Sequence, residues 1–163
     1  MVVGNVEQTA LPFPPGSVDC IICADLLEHT ADPWTVVANL KKLLKPTGCI
    51  VASIPNVGFH RNIRRMIRGK WLYTDEGLLD RTHLRFFTFE TIEEMFARNG
   101  MVGVNINYRL APRHPWPAGG EDVAAAIQWV RRSIAQYGGD VTSLVPAPVA
   151  TELARLFPSQ GGA

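Results

Sequence analysis

Asp25, Glu28 and His29 follow the apolar run VDCIICA, and Asn56 follows a second apolar run, CIVASIP. If the two runs are parallel strands, these side chains bunch just past the strands' carboxyl ends. Loops diverge at that edge of an open α/β sheet and leave a crevice where ligands bind, so a cofactor site is expected there. Asp25 and Glu28 have a plainer reading as first-turn carboxylates favoured by a helix dipole. Cys20-Ile-Ile-Cys23 offers the C-x-x-C spacing of metal and redox sites. On a strand, however, residues three apart point to opposite faces, so the two thiols read as buried hydrophobes and no metal site is expected. Arg61, Arg64, Arg65 and Arg68 fall on one stripe of a helical wheel. They read as a solvated face, with a phosphate-bearing acceptor or nucleic acid as the alternative that salt dependence would reveal.

The elements that would position these groups are legible in part. Val18 to Ala24 is a short, β-branched run bounded by Pro-Pro-Gly-Ser, the pattern of a strand covered on both faces. Asp32 before Pro33 is a cap-then-proline helix start, and Val36, Val37, Leu40, Leu43 and Leu44 recur at helical spacing as far as Lys45-Pro46. Thr47-Gly48 makes a turn into the strand Cys49 to Pro55, which completes a βαβ unit. Arg61 to Arg68 predicts a helix with Ile63, Met66 and Ile67 opposite the arginines. Thr88 can cap a further helix running to Gly100, and Val102 to Tyr108 alternates like a half-exposed strand. A Pro/Gly-rich loop, a helix from about Glu121 to Gln136 and a tail with one helical stretch, Pro148 to Phe157, complete the chain. The expected fold class is α/β, a partial Rossmann-like parallel sheet flanked by helices and incomplete at its N-terminal side.

Composition bounds the partners. At 163 residues, 47% hydrophobic and 19% charged, the chain is long enough for one globular domain with a core. A formal net charge of +1 gives no global field to attract nucleic acid or an anionic membrane. No apolar run approaches the roughly 20 residues that cross a bilayer, and no secretory signal pattern opens the chain, so a cytoplasmic protein is expected.

Three stretches, GNVEQTALPFPPGSVDCIICADLLEHTADPW, LLKPTGCIVASIPNV and GLLDRTHLRFFTFETIEEMF, together resemble the class I S-adenosylmethionine-dependent methyltransferases over about Val2 to Gly100. The resemblance implies a cofactor, S-adenosylmethionine, and roles for particular residues. Asn5 stands where the family usually has an aspartate that accepts from the adenine amino group, and Val6 would offer its backbone N–H to the ring. Ala24, Asp25 and Leu26 would line the methionine part, with Glu28 and His29 completing the L-E-H signature. Asn56, Asp80, His83 and Arg85 would face a small-molecule, lipid or sugar acceptor. Methyl transfer from a sulfonium is an in-line displacement, so catalysis is expected chiefly from positioning, helped by a base. His83 is the candidate base and Asp80 its orienting partner; taken alone, His83 reads as a structural histidine.

The family's glycine-rich turn does not occur near Met1. That predicts an N-terminally truncated domain over residues 1–100, weak or inactive alone. If half of a micromolar site worth about 8 kcal/mol is missing, the Kd rises to about millimolar. The first strand would then expose an open edge, through which a homodimer is expected. Asn107 to Val130, with its NYRLAP and E-D elements, is similar instead to α/β-hydrolase esterases of the hormone-sensitive-lipase type, over residues 104–140. That family needs a serine on a G-x-S-x-G elbow. The nearest approach is Phe157-Pro158-Ser159-Gln160-Gly161, which has phenylalanine at the first glycine and no later histidine. The chain is thus expected to join a methyltransferase-like domain (1–100), a hydrolase-like strand–loop–helix segment (101–140) and a tail (141–163). An esterase remnant and a non-catalytic interaction module are the alternative functions.

Overall fold

A computed structural model describes residues 4–8, 11–106, 108 and 113–139. The chain divides into two compact units, one of residues 1–45 with 50–101, the other of 46–49 with residues from 102 onward.

Strand β1 (Val18–Ala24) pairs with β2 (Leu44–Ser53). The Gly16 amide donates to the Lys42 carbonyl at 3.0 Å before the strands, and the Asp25 amide to the Ser53 carbonyl at 3.2 Å after them. Early residues pair with early and late with late, so the strands are parallel. The connection between them is α1 (Pro33–Leu43), which makes the expected βαβ unit. Asp32 caps α1 through its side chain, accepting from the Thr35 amide at 3.1 Å and the Thr35 hydroxyl at 2.6 Å. Pro33 follows at the first turn, where its missing N–H costs nothing.

Helix α1 buries Val36, Val37 and Leu40 on one stripe against Cys23, Leu27, Phe87 and Met95. Met95 comes from α3 (Phe89–Ala97), whose start is a reciprocal cap. The Thr91 amide donates to the Thr88 hydroxyl at 3.3 Å, and the Thr88 amide to the Thr91 hydroxyl at 2.9 Å. Gly100, at φ +65°, turns the chain after α3 in the left-handed region that glycine adopts without strain.

Four expectations are corrected. Strand β1 is not covered on both faces: Cys23 is buried but Ile22 is 48% exposed, because among the described residues the sheet has two strands and the core lies on one side of them. Strand β2 begins at Leu44, earlier than the Thr47-Gly48 turn suggested. Helix α2 (His60–Ile67) forms where expected, but its apolar side does not pack inward, and Ile67 is 82% exposed. The residue that anchors α2 is Asn62, buried, its Nδ2 donating to the Val57 carbonyl at 2.8 Å. The described residues of Val102 to Tyr108 form no strand, since alternation creates a ladder only where a partner edge meets it.

In the second unit, α4 (Ala118–Ser133) runs into a 3-10 turn, Ile134–Tyr137, which ends at Gly138 with φ +80°. Val130 and Ile134 are its buried residues, and the Trp129 and Tyr137 rings sit 6.0 Å apart. The expected Pro148 to Phe157 helix and Ser159 lie outside the described residues.

Candidate functional site

The carboxyl end of β1 breaks sharply. Asp25 has φ +45°, the left-handed region that L side chains other than Asn and Asp rarely enter. Its carboxylate accepts from the Ser53 hydroxyl at 2.8 Å, while its amide donates to the Ser53 carbonyl, so β2 clasps the turn from two directions. A single 3-10 turn, Leu27–His29, follows. It drives Leu27 into the core and places Glu28 and His29 beside the loop that carries Asp80 to Arg85. The Leu84 and Arg85 amides both donate to the Glu28 carbonyl, at 2.8 and 3.0 Å, which locks loop and turn together.

Glu28 is 1% exposed, and neither carboxylate oxygen has a hydrogen-bond partner. An unpaired buried carboxylate is costly when ionised. Burial accordingly pushes the Glu28 carboxyl above the ordinary carboxylate range, and the nearby Asp25 charge adds in the same direction.

Two imidazoles stand next to it. The His29 and His83 rings meet edge to face with centroids 4.8 Å apart. His29 Nδ1 lies 3.2 Å from both the carbonyl and the hydroxyl oxygen of Thr82. His83 Nδ1 lies 3.3 Å from the Leu78 carbonyl. A carbonyl only accepts, so in each neutral ring Nδ1 carries the proton and Nε2 the free lone pair. One ligand atom each from Glu28, His29 and His83 falls within 4.8 Å of the other two.

Asp80 is not tied to the His83 ring. Its Oδ1 accepts from the Thr82 amide and hydroxyl, both at 2.7 Å, and these bonds hold its carboxyl below the usual range. Since the Thr82 hydroxyl donates to Asp80, it receives from His29, which makes Asp80 the remote support of His29. The orienting partner of His83 is the Leu78 carbonyl. Neither Thr82 nor Leu78 carried a sequence signal, because a carbonyl has no residue signature and a threonine in a loop is unremarkable.

The remaining expected site residues are spread more widely. Asn5 is exposed and its Oδ1 accepts from the Glu7 amide at 2.9 Å. Val6 and Leu26 pack half-buried against the core, and Ala24 is exposed at the end of β1. Asn56 Oδ1 closes a turn by accepting from the Gly58 amide at 2.8 Å. The Arg85 guanidinium donates to the Ala31 carbonyl. Around His83 stands an aromatic group: Phe86 lies 6.2 Å from it, and Trp71 meets Phe86 edge to face at 5.1 Å. A cleft of about 230 Å³, lined by Phe59, Asn62, Arg65, Leu72 and Leu78 among others, shares Leu78 with the His83 anchorage.

No helix among the described residues is long and apolar enough to cross a membrane.

Residues 86–147 match the α/β hydrolase fold family. Over 44 residues the chain is 48% identical to carboxylesterase NlhH of Mycobacterium tuberculosis, a match covering 27% of this chain and 14% of that protein. It is also 29% identical over 127 aligned positions to a ubiquinone biosynthesis O-methyltransferase of Methylococcus capsulatus, covering 64% of this chain and 53% of that one. The chain therefore spans about half the length of one curated relative and a small part of the other. A solved complex of the Haloferax volcanii Trm112 methyltransferase activator with a methyltransferase is similar at 18% identity and a TM-score of 0.44, covering 78% of this chain and 54% of that one. Residues 2–105 match the methyltransferase domain family, a span that takes in most of the chain, and to that family the chain belongs.

Proposed function

We propose that the chain uses S-adenosylmethionine to methylate a small-molecule acceptor. The observation that carries this reading is the convergence of Asp25, His29 and His83 at the carboxyl edge of β1, within a domain of the methyltransferase family. The residues there suit the cofactor: the Asp25 carboxylate is exposed and has acceptor capacity beyond its bond to Ser53, and Ala24 leaves room beside it. Asp25 would take the cationic amino group of the methionine part and Leu26 would back its aliphatic chain. Asn5 has one amide oxygen lone pair already committed to Glu7, so its hold on the adenine is a single weak contact.

Bound, the cofactor supplies an electrophilic methyl group. The chain's own part is to align an acceptor and to keep water away. The cleft, with Phe59, Leu72, Leu78 and Leu79 on its wall, favours an acceptor with an apolar body, and Arg65 beside them favours one that also carries an acidic group. In the ion-free protein the lone pair of His83 Nε2 suits it to take the acceptor's proton. Homodimerisation through the edge of β1 that no described residue pairs belongs to the same reading.

Calorimetry with S-adenosylmethionine tests it. Binding in the micromolar to millimolar range is expected, weakened about tenfold or more by Asp25→Ala, the loss of one charge-assisted bond. No heat up to millimolar concentration from the folded chain would overturn it. The esterase similarity supports a second reading, a hydrolase-type segment, which ester turnover abolished by Ser159→Ala would favour.

A further inference from the structure

We propose that Glu28, His29 and His83 bind a divalent transition ion, with Zn2+ the best match. Three acceptors converge there with no donor among them. The Glu28 carboxylate is buried and unpartnered, and both histidines have Nδ1 turned to backbone oxygen, which leaves Nε2 basic. Anchoring one ring nitrogen on a carbonyl or carboxylate is how proteins fix a metal-binding imidazole. Here His29 leans on Thr82 and through it on Asp80, and His83 leans on Leu78.

Two imidazoles and one carboxylate are a borderline donor set that suits Zn2+ better than Mg2+ or Ca2+, which prefer oxygen alone. Three protein ligands leave a fourth tetrahedral position open to water or to an oxygen of a bound molecule. Ligand atoms about 2.1 Å from zinc stand roughly 3.4 Å from one another in a tetrahedron. One ligand atom from each residue already lies within 4.8 Å of the others, and the three draw together toward that spacing when an ion binds. An ion in place occupies the histidine lone pairs, so His83 then serves as a ligand and not as a free base.

This inference does not depend on methyl transfer, and its test uses metal alone. The full chain is titrated with Co2+ followed by visible absorption, then with Zn2+ in competition. One equivalent should bind with the d–d bands of a mixed nitrogen–oxygen site, and Zn2+ should displace it. Glu28→Gln, His29→Asn and His83→Asn should each weaken binding by more than about tenfold, and Thr82→Val by roughly tenfold through the lost support. His60→Ala, on the exposed start of α2, should leave it unchanged. If Glu28→Gln fails to fold by circular dichroism, the exposed Thr82→Val and the wild-type spectrum still decide. No binding at millimolar Co2+, binding indifferent to Glu28 and His83, or binding lost with His60 would each overturn the proposal, and the first would mean that a proton on Glu28 satisfies the cluster.

Discussion

His29 and His83 come from different segments of the chain, yet their rings stand edge to face with centroids 4.8 Å apart, each braced through Nδ1 on a different loop oxygen. The braces are independent. Thr82 and Asp80 hold one ring and Leu78 holds the other, so the two can be perturbed separately.

Long-range proton–nitrogen NMR should therefore find both neutral rings as the Nδ1–H tautomer. Thr82→Val should shift the His29 resonances while leaving those of His83 largely in place. A shift of both rings to the same extent would show that the braces are coupled.

None of the three cysteines is in a disulfide, and Cys23 differs from the others. Burial, with the neighbouring Cys20 thiol adding to it, raises the Cys23 thiol to about 11. Thiol reagents at pH 8 should modify Cys20 and Cys49, both half-buried, well before Cys23, which should react at the rate of unfolding. The raised value also sets a sign. The folded chain holds this proton more tightly than the unfolded chain does, so the contribution is fully present below pH 9 and is lost as the pH rises toward 11. Denaturation at stepped pH should show stability falling by about 1 kcal/mol per pH unit across that window, and Cys23→Ala should flatten the slope.

Acid acts through a different group. Bonds from Thr35 hold the Asp32 carboxyl below its ordinary range, so its support of α1 is present at neutral pH and is lost as the pH falls through that lowered value. Helix signal in circular dichroism should decline at the acid end less in Asp32→Asn than in the wild type, because an amide still caps but does not titrate.

Removing the reciprocal cap on α3 with Thr88→Ala should cost about 1 kcal/mol in urea denaturation. Met95→Ala, which empties a fully buried site between α1 and Phe87, should cost about 3 kcal/mol. The order matters: the cap variant should remain folded at room temperature under conditions where the core variant is partly unfolded.

The βαβ unit was legible because its signals are local. Asp32-Pro33 starts α1 and its Val36, Val37, Leu40 stripe is the one buried; Thr88 caps α3 as its position suggests. What depends on distant partners was not. The exposed face of β1 and the outward apolar side of α2 are decided by what the rest of the chain covers, and no window of neighbouring residues contains that. The site divides in the same way. Asp25, Glu28 and His29 could be grouped by sequence because they are neighbours on one turn. Their union with His83 came only from the family resemblance and from no local pattern, since it rests on two hydrogen bonds from the Leu84 and Arg85 amides to the Glu28 carbonyl.

Asp25 holds its carboxylate in place by sitting in a backbone conformation that suits glycine. A glycine there would ease the chain by about 1 kcal/mol and erase the charge at the same stroke. Random mutagenesis scored for thermal tolerance should therefore favour Asp25→Gly, whereas a screen that rewards ligand capture should discard it, and the two selections would pull one codon in opposite directions.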